Sequence, residues 1–372
     1  MRLLIDIGHP GHVHFFKNFI WEMEGRGHTI LVTAREKDVA TQLLKAYGIP
    51  FIPVGKKGTG PLNLVKEWIL RDIEIIRIAR KFNPDILMGV LNPATAHAAR
   101  LLGKVSITFT DSEPEVAKYP VADAITLPFT DVVLTLSSVR HNYGEKEVRV
   151  DSYKEIASLH PTRFSPDPDV LNIAGLSPED DYALVRFVAW GAYHDVGQGG
   201  LTLDDKRALI RELEQSCSVF ISSESPLPPE FEKYRLPIPP ERIHDFLHYA
   251  KIFVSDSQTM TTEAALLGTP AVRCNSFVGE NDMGNFVELE ERYHLIYNCK
   301  DGSSVISKVH ELLQLPNLKD EWNKRREPLL QKKIDLTAFM VWFIENYPSS
   351  FTEMKEHPEL QYPCAPVRGG AL

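Results

Sequence analysis

The stretch that decides the fold is Ile252–Val272, IFVSDSQTMTTEAALLGTPAV. An apolar run stops at Ser255, hydroxyl and amide side chains make a turn, and a helix is expected from about Thr259. Gly268 followed by Pro270 ends that helix, because glycine accepts the left-handed cap and proline cannot continue the ladder. A strand feeding a helix through a polar turn leaves free backbone N–H groups at the helix start, where the dipole also favours negative charge. The segment therefore reads as an anion seat on the edge of an α/β sheet. Ser255, Ser257, Gln258, Thr259 and Thr262 surround it, and Glu263 stands about one turn further in.

The same grammar extends outward in both directions. Apolar runs at 2–7, 29–33, 86–90, 105–109 and 132–136 alternate with helical spacing such as Phe15, Phe16, Phe19, Ile20 and Met23. After Asp181 the alternation resumes with strands at 182–187, 219–222, 252–255 and 271–273, and helices at 204–216, 242–250 and 259–267. Strands separated by helices of this length imply right-handed crossovers and parallel sheets. Between them, Pro161, Pro166, Pro168, Gly175 and Pro178 interrupt any long element. The expectation is two α/β domains, residues 1–165 and 166–330. An apolar helix at about 331–350 is expected to pack back on the first.

Bulk properties agree with this division. A chain of 372 residues exceeds what one core usually supports, and 43% hydrophobic with 24% charged residues is an ordinary globular balance. A formal net charge of -9 argues against broad adhesion to nucleic acid or anionic lipid, leaving at most peripheral membrane contact. Four cysteines without CxxC spacing suggest free thiols and a cytoplasmic address. No run reaches the roughly 20 apolar residues needed to cross a bilayer.

Further candidates sit at strand ends. Arg186 closes the first strand of the second half, where a guanidinium can bind a diphosphate in bidentate fashion. His194 lies in the loop that follows. Glu280, Asn281, Asp282 and Asn285 follow the strand at 271–273 and offer polar contacts to a sugar. In the first half, Gly8-His-Pro-Gly-His-Val-His places His9, Gly11 and His12 at the first strand-to-helix turn, with His12 a candidate general base or phosphate ligand. His9 or His14 alternatively caps the helix or packs. The H-x-x-H-x-H spacing brings zinc to mind, but no carboxylate or cysteine accompanies it and no metal is assigned. Asp111 and Glu113 follow the fifth strand as a carboxylate pair able to take a proton.

Ser257–Pro270 resembles the nucleotide-binding segment of the GT-B superfamily, which includes MurG-type N-acetylglucosaminyltransferases and UDP-GlcNAc 2-epimerases. The succession of elements is also similar to an uncharacterised archaeal and bacterial domain-of-unknown-function family. The resemblance implies two Rossmann-like domains with parallel sheets facing across a cleft. It also implies a ribose-binding role for Glu263, a diphosphate role for Arg186, and a loop at Gly11-His12 like the Gly-Gly-His loop of MurG-type enzymes. Glu113 is the nearest equivalent of an epimerase catalytic acid. However, Leu91-Asn92-Pro93 stands where epimerases carry Gly-Asp-Thr, so one carboxylate of that chemistry is missing.

Three functions follow. The leading one is transfer of a sugar from a nucleotide-diphosphate donor, expected to be a UDP-sugar, to a hydroxyl of a glycan, lipid-linked or small-molecule acceptor, with no tightly bound cofactor. The alternatives are a UDP-N-acetylglucosamine 2-epimerase-like activity and a non-catalytic nucleotide-sugar-binding protein.

Overall fold

The computed structural model describes residues 1–372 except 37, 57–60, 112, 115–119, 189–198, 224, 280–281 and 363–372. The chain divides into two α/β units, each with one parallel sheet. The first comprises Met1–Asp111, Pro120–Ser158 and the described residues from Lys332 onward. The second comprises Leu159–Gln331 together with Glu113 and Pro114.

Seven strands form the first sheet: β1 (Arg2–Ile7), β2 (Thr29–Glu36), β3 (Phe51–Lys56), β4 (Ile86–Val90), β5 (Val105–Thr110), β6 (Val132–Leu136) and β7 (Glu147–Val150). Their order is β3-β2-β1-β4-β5-β6-β7, so the direction of winding reverses between β1 and β4. In open α/β sheets ligands bind beyond the carboxyl ends of the strands at such a reversal. Leu3, Ile5 and Ile7 of β1 are fully buried against Phe15, Phe16 and Phe19 of the helix Pro10–Gly25. The same core takes in Leu336, Phe339, Met340, Phe343 and Ile344 of the helix Leu336–Glu345. Each such side chain contributes about 1.5–3 kcal/mol by leaving water, so the late helix is an integral part of the first core. A second helix, Ser349–Glu356, follows it within the same segment.

The second sheet contains β8 (Tyr182–Phe187), β9 (Ser218–Ser223), β10 (Ile252–Ser255), β11 (Ala271–Cys274) and β12 (Ile296–Cys299), ordered β12-β11-β10-β8-β9. Its reversal lies between β8 and β10. The helix Thr259–Leu267 follows β10 and ends on Gly268 at φ 72°, where a Cβ would stand 2.4 Å from Asn323 Oδ1. Only glycine satisfies both the backbone angle and the space.

Beside that helix lies Ile243–Tyr249, whose His248 Nδ1 sits 3.1 Å from the Leu267 carbonyl oxygen. Burial, reinforced by the nearby Lys319 cation, pushes the imidazole down to about 4. A folded-state value below the unfolded one, about 6.5, means stability that is complete above pH 6.5 and lost as pH falls towards 4. Between pH 7 and 4.5 this group is expected to cost about 2.5 kcal/mol. Urea unfolding of His248→Gln at both pH values should show a pH slope shallower than wild type by that amount.

Candidate functional site

At the reversal of the second sheet, register places one row of polar residues across all five strands. Arg186 of β8 aligns with Ser222 of β9 and with Ser255 of β10, Ser255 aligns with Arg273 of β11, and Arg273 aligns with Asn298 of β12. Arg186 Nη1 donates to Ser222 Oγ at 2.6 Å, and Ser255 Oγ donates to the Arg186 carbonyl at 3.2 Å. Ser255 Oγ also accepts from Ser257 N at 2.7 Å, which fixes the turn leaving β10. Thr261 Oγ1 then donates back to the Ser257 carbonyl at 2.6 Å.

The helix opens immediately after this turn. Thr261 N and Thr262 N both donate to the Gln258 carbonyl, which leaves the N–H groups of Gln258, Thr259 and Met260 ahead of the first intrahelical donor. Two side-chain atoms of this first turn, Gln258 Nε2 and Thr262 Oγ1, are buried and have no hydrogen-bond partner among the described residues. Buried polar groups are normally satisfied, so these two atoms at a helix start have bonding capacity left for a water or a ligand. Glu263 is 4% exposed, with its Oε1 3.0 Å from His244 Nε2.

The turn is also held from outside. Asp256 is buried and its Oδ1 accepts from Val188 N at 2.8 Å, while a Cβ on Gly200 would fall 2.4 Å from its Oδ2. Ser276 Oγ accepts from Gly199 N at 3.0 Å.

Of the polar residues after β11, Asp282 is buried and forms an ion pair with Arg273, whose side chain is fully buried. Asp282 also accepts from Met283 N at 2.8 Å. Burial pulls the Arg273 guanidinium below its ordinary value, and the adjacent Asp282 carboxylate pulls it back. Arg273 Nε donates to Asn298 Oδ1 at 2.8 Å, its guanidinium carbon lies 3.7 Å from the Phe286 ring centroid, and Asn298 in turn binds Glu290. The geometry thus gives Asp282 a different task from the sugar contact expected from sequence: it is the counter-ion of a buried cation. Asn285 Oδ1 is buried without a partner among the described residues. Glu280, Asn281 and His194 lie outside the described residues.

The carboxylate pair of the sequence reading is split between the units. Asp111 is bound by Lys154 Nζ at 2.5 Å within the first unit. Glu113 is 3% exposed and accepts from Gly284 N at 3.2 Å within the second. His9 is the N-cap of the helix Pro10–Gly25, its Nδ1 accepting from Gly11 N at 3.1 Å. His14 is buried against Tyr47, with ring centroids 5.9 Å apart. His12 is partly buried, its ring 5.8 Å from that of His9. Among the described residues no group of three or more His, Cys, Asp or Glu side chains is placed to hold a metal.

A feature that sequence reasoning missed lies at the reversal of the first sheet. Asp6 of β1 is fully buried, accepts from Thr33 Oγ1 at 2.7 Å and pairs with Arg71 at 2.5 Å. It also accepts from Asn92 Nδ2. Asn92 follows Leu91, which has a left-handed φ of 39°, and its Oδ1 caps the helix Pro93–Leu102 by accepting from Ala94 N and Thr95 N. A lone acid in an otherwise apolar strand was the available signal, since a buried carboxylate requires partners.

Two parallel α/β sheets, each reversing at its centre, with an open helix start beyond the second reversal, define the GT-B class of fold. Solved structures agree. MnaA of S. aureus, in a co-structure with UDP, superposes with a TM-score of 0.67 over 95% of this chain and 98% of its own, at 11% identity. A UDP-N-acetylglucosamine 2-epimerase gives 0.63 over 93% and 96%, at 13% identity. The Streptomyces sp. SF2575 glycosyltransferase SsfS6, complexed with thymidine diphosphate, gives 0.61 over 93% and 99%, at 15% identity. Residues 1–314 match the family described as "Protein of unknown function (DUF354)", and the chain belongs to that family. Among curated proteins, Uncharacterized protein MJ0665 of Methanocaldococcus jannaschii is 20% identical over 283 residues, covering 73% of this chain and 80% of that protein. Among the described residues no helix is long and apolar enough to cross a membrane.

Proposed function

We propose that this chain is a glycosyltransferase that moves a sugar from a nucleotide-diphosphate donor, a UDP-sugar in the first instance, to a hydroxyl acceptor. The observation that carries the reading is the pair of buried atoms without a hydrogen-bond partner among the described residues, Gln258 Nε2 and Thr262 Oγ1, on an open helix start at the reversal of the second sheet. Arg186 stands at the end of the strand adjoining β10. A departing nucleoside diphosphate gains negative charge in the transition state, and fixed N–H dipoles plus a guanidinium favour that state over the ground state. Glu263 would take the ribose hydroxyls. The acceptor side is assigned to the first unit. There the Lys154 ion pair occupies Asp111, which favours His12 as the base that receives the acceptor proton.

Transfer is preferred over epimerisation because of Asn92. Where the resembling epimerases carry an acid, this chain has an amide committed to capping a helix and to binding Asp6. The deciding experiment is incubation with UDP-sugars, with and without acceptor extracts, reading free UDP and the labelled product. Acceptor-dependent UDP release is expected. C2 inversion or solvent deuterium at C2 of UDP-GlcNAc without acceptor would establish epimerisation instead. Tight UDP binding with neither reaction would leave a binding protein.

A further inference from the structure

We propose that His244 is a positioning residue that sets the Glu263 carboxylate for recognition of a nucleotide's ribose diol, an inference that rests on the donor-site reading above. His244 belongs to the helix Ile243–Tyr249 and Glu263 to the helix Thr259–Leu267, 19 positions apart, so nothing local requires the pairing. Both side chains are buried, at 2% and 4% exposure, and His244 Nε2 lies 3.0 Å from Glu263 Oε1. The His244 ring is itself steadied edge-on by Phe164, with centroids 6.1 Å apart and planes at 87°.

A carboxylate taken out of water needs a donor to remain in place. Here Oε1 has the imidazole beside it as an ion-pair partner at a geometry that forms no hydrogen bond in the free protein, and Oε2 takes no hydrogen bond among the described residues. That loose pairing at one oxygen differs from a purely structural ion pair such as Arg273 with Asp282, whose acid oxygens are both engaged. A carboxylate one turn inside a diphosphate-binding helix, with an imidazole beside one oxygen and the other open, suits two vicinal hydroxyls. His244 acts through Glu263 and contributes by removing the rotamer freedom that binding would otherwise have to freeze.

The test is titration of the full chain with UDP and with 2′-deoxy-UDP, which differ only in one hydroxyl of the diol. Wild type is expected to favour UDP about 10-fold, the scale of one well-made hydrogen bond to a charged acceptor. In His244→Ala the preference should fall to about 2-fold or less, with 2′-deoxy-UDP affinity within about 2-fold of wild type. His244→Asn, whose amide falls short of Glu263, should do the same if the alanine variant fails to fold. His244→Gln, which can restore an N–H near the imidazole position, should recover most of the preference. Equal weakening towards both nucleotides, or an unchanged ratio in the alanine and asparagine variants, would overturn the proposal while leaving the donor site standing. Failure of wild type to bind either nucleotide would overturn both.

Discussion

Asp282→Asn is expected to destabilise the second unit by about 3–5 kcal/mol. Arg273 is fully buried, and its charge is compensated by Asp282 while Phe286 covers the guanidinium face. Removing the negative charge keeps the shape but leaves a cation without its counter-ion in a medium of low polarity. The neutral Asn298 amide at Nε does not replace it. Urea unfolding monitored by far-UV circular dichroism reads the loss directly. Pairing the change with Arg273→Met should recover much of it, because an apolar side chain of similar length needs no partner. A loss below about 1 kcal/mol would mean that another anion or water serves the guanidinium.

The second large effect concerns ligand affinity. Arg186→Met should weaken UDP binding about 100-fold, or about 2.7 kcal/mol, with a melting temperature within a few degrees of wild type. In the free protein the change removes the hydrogen bond from Arg186 Nη1 to Ser222 Oγ, which is worth about 1 kcal/mol. The bound diphosphate would lose a planar fork of donors. Arg186→Lys keeps the charge without the fork and should fall between, at about 10-fold weaker. Calorimetric titration separates these cases, and an Arg186→Met variant that binds UDP like wild type would remove this residue from the donor site.

Legibility in the sequence followed the range of the interaction. The β10 strand and the helix Thr259–Leu267 were readable because apolar run, polar turn, glycine and proline all lie within 20 residues. Arg186 was readable as a strand-end cation for the same reason. The strands absent from the sequence reading, β3, β7 and β12, are edge strands of their sheets, short and mixed in polarity, and there periodicity is weakest. The helices Pro61–Phe82 and Gly302–Leu313 likewise lie outside the pattern read from the sequence. At the site, pairings across many residues were invisible: Glu113 with Gly284, His244 with Glu263, and Asp6 with Arg71 and Asn92. One of these, and the pairing of Arg273 with Asp282, left a trace that could have been followed. An acid inside the apolar strand Arg2–Ile7 and an arginine inside Ala271–Cys274 each had to find a partner before being buried.

The helix Leu336–Glu345 has a bearing on how the protein is made. Its residues leave the ribosome after every residue of the second unit, yet they fill the core that β1 and the helix Pro10–Gly25 began to build. During synthesis the second unit can close first, while Phe15, Phe19 and their neighbours wait with one side uncovered. For that interval the nascent chain exposes a greasy surface of the kind that promotes aggregation, and emergence of this helix is what covers it.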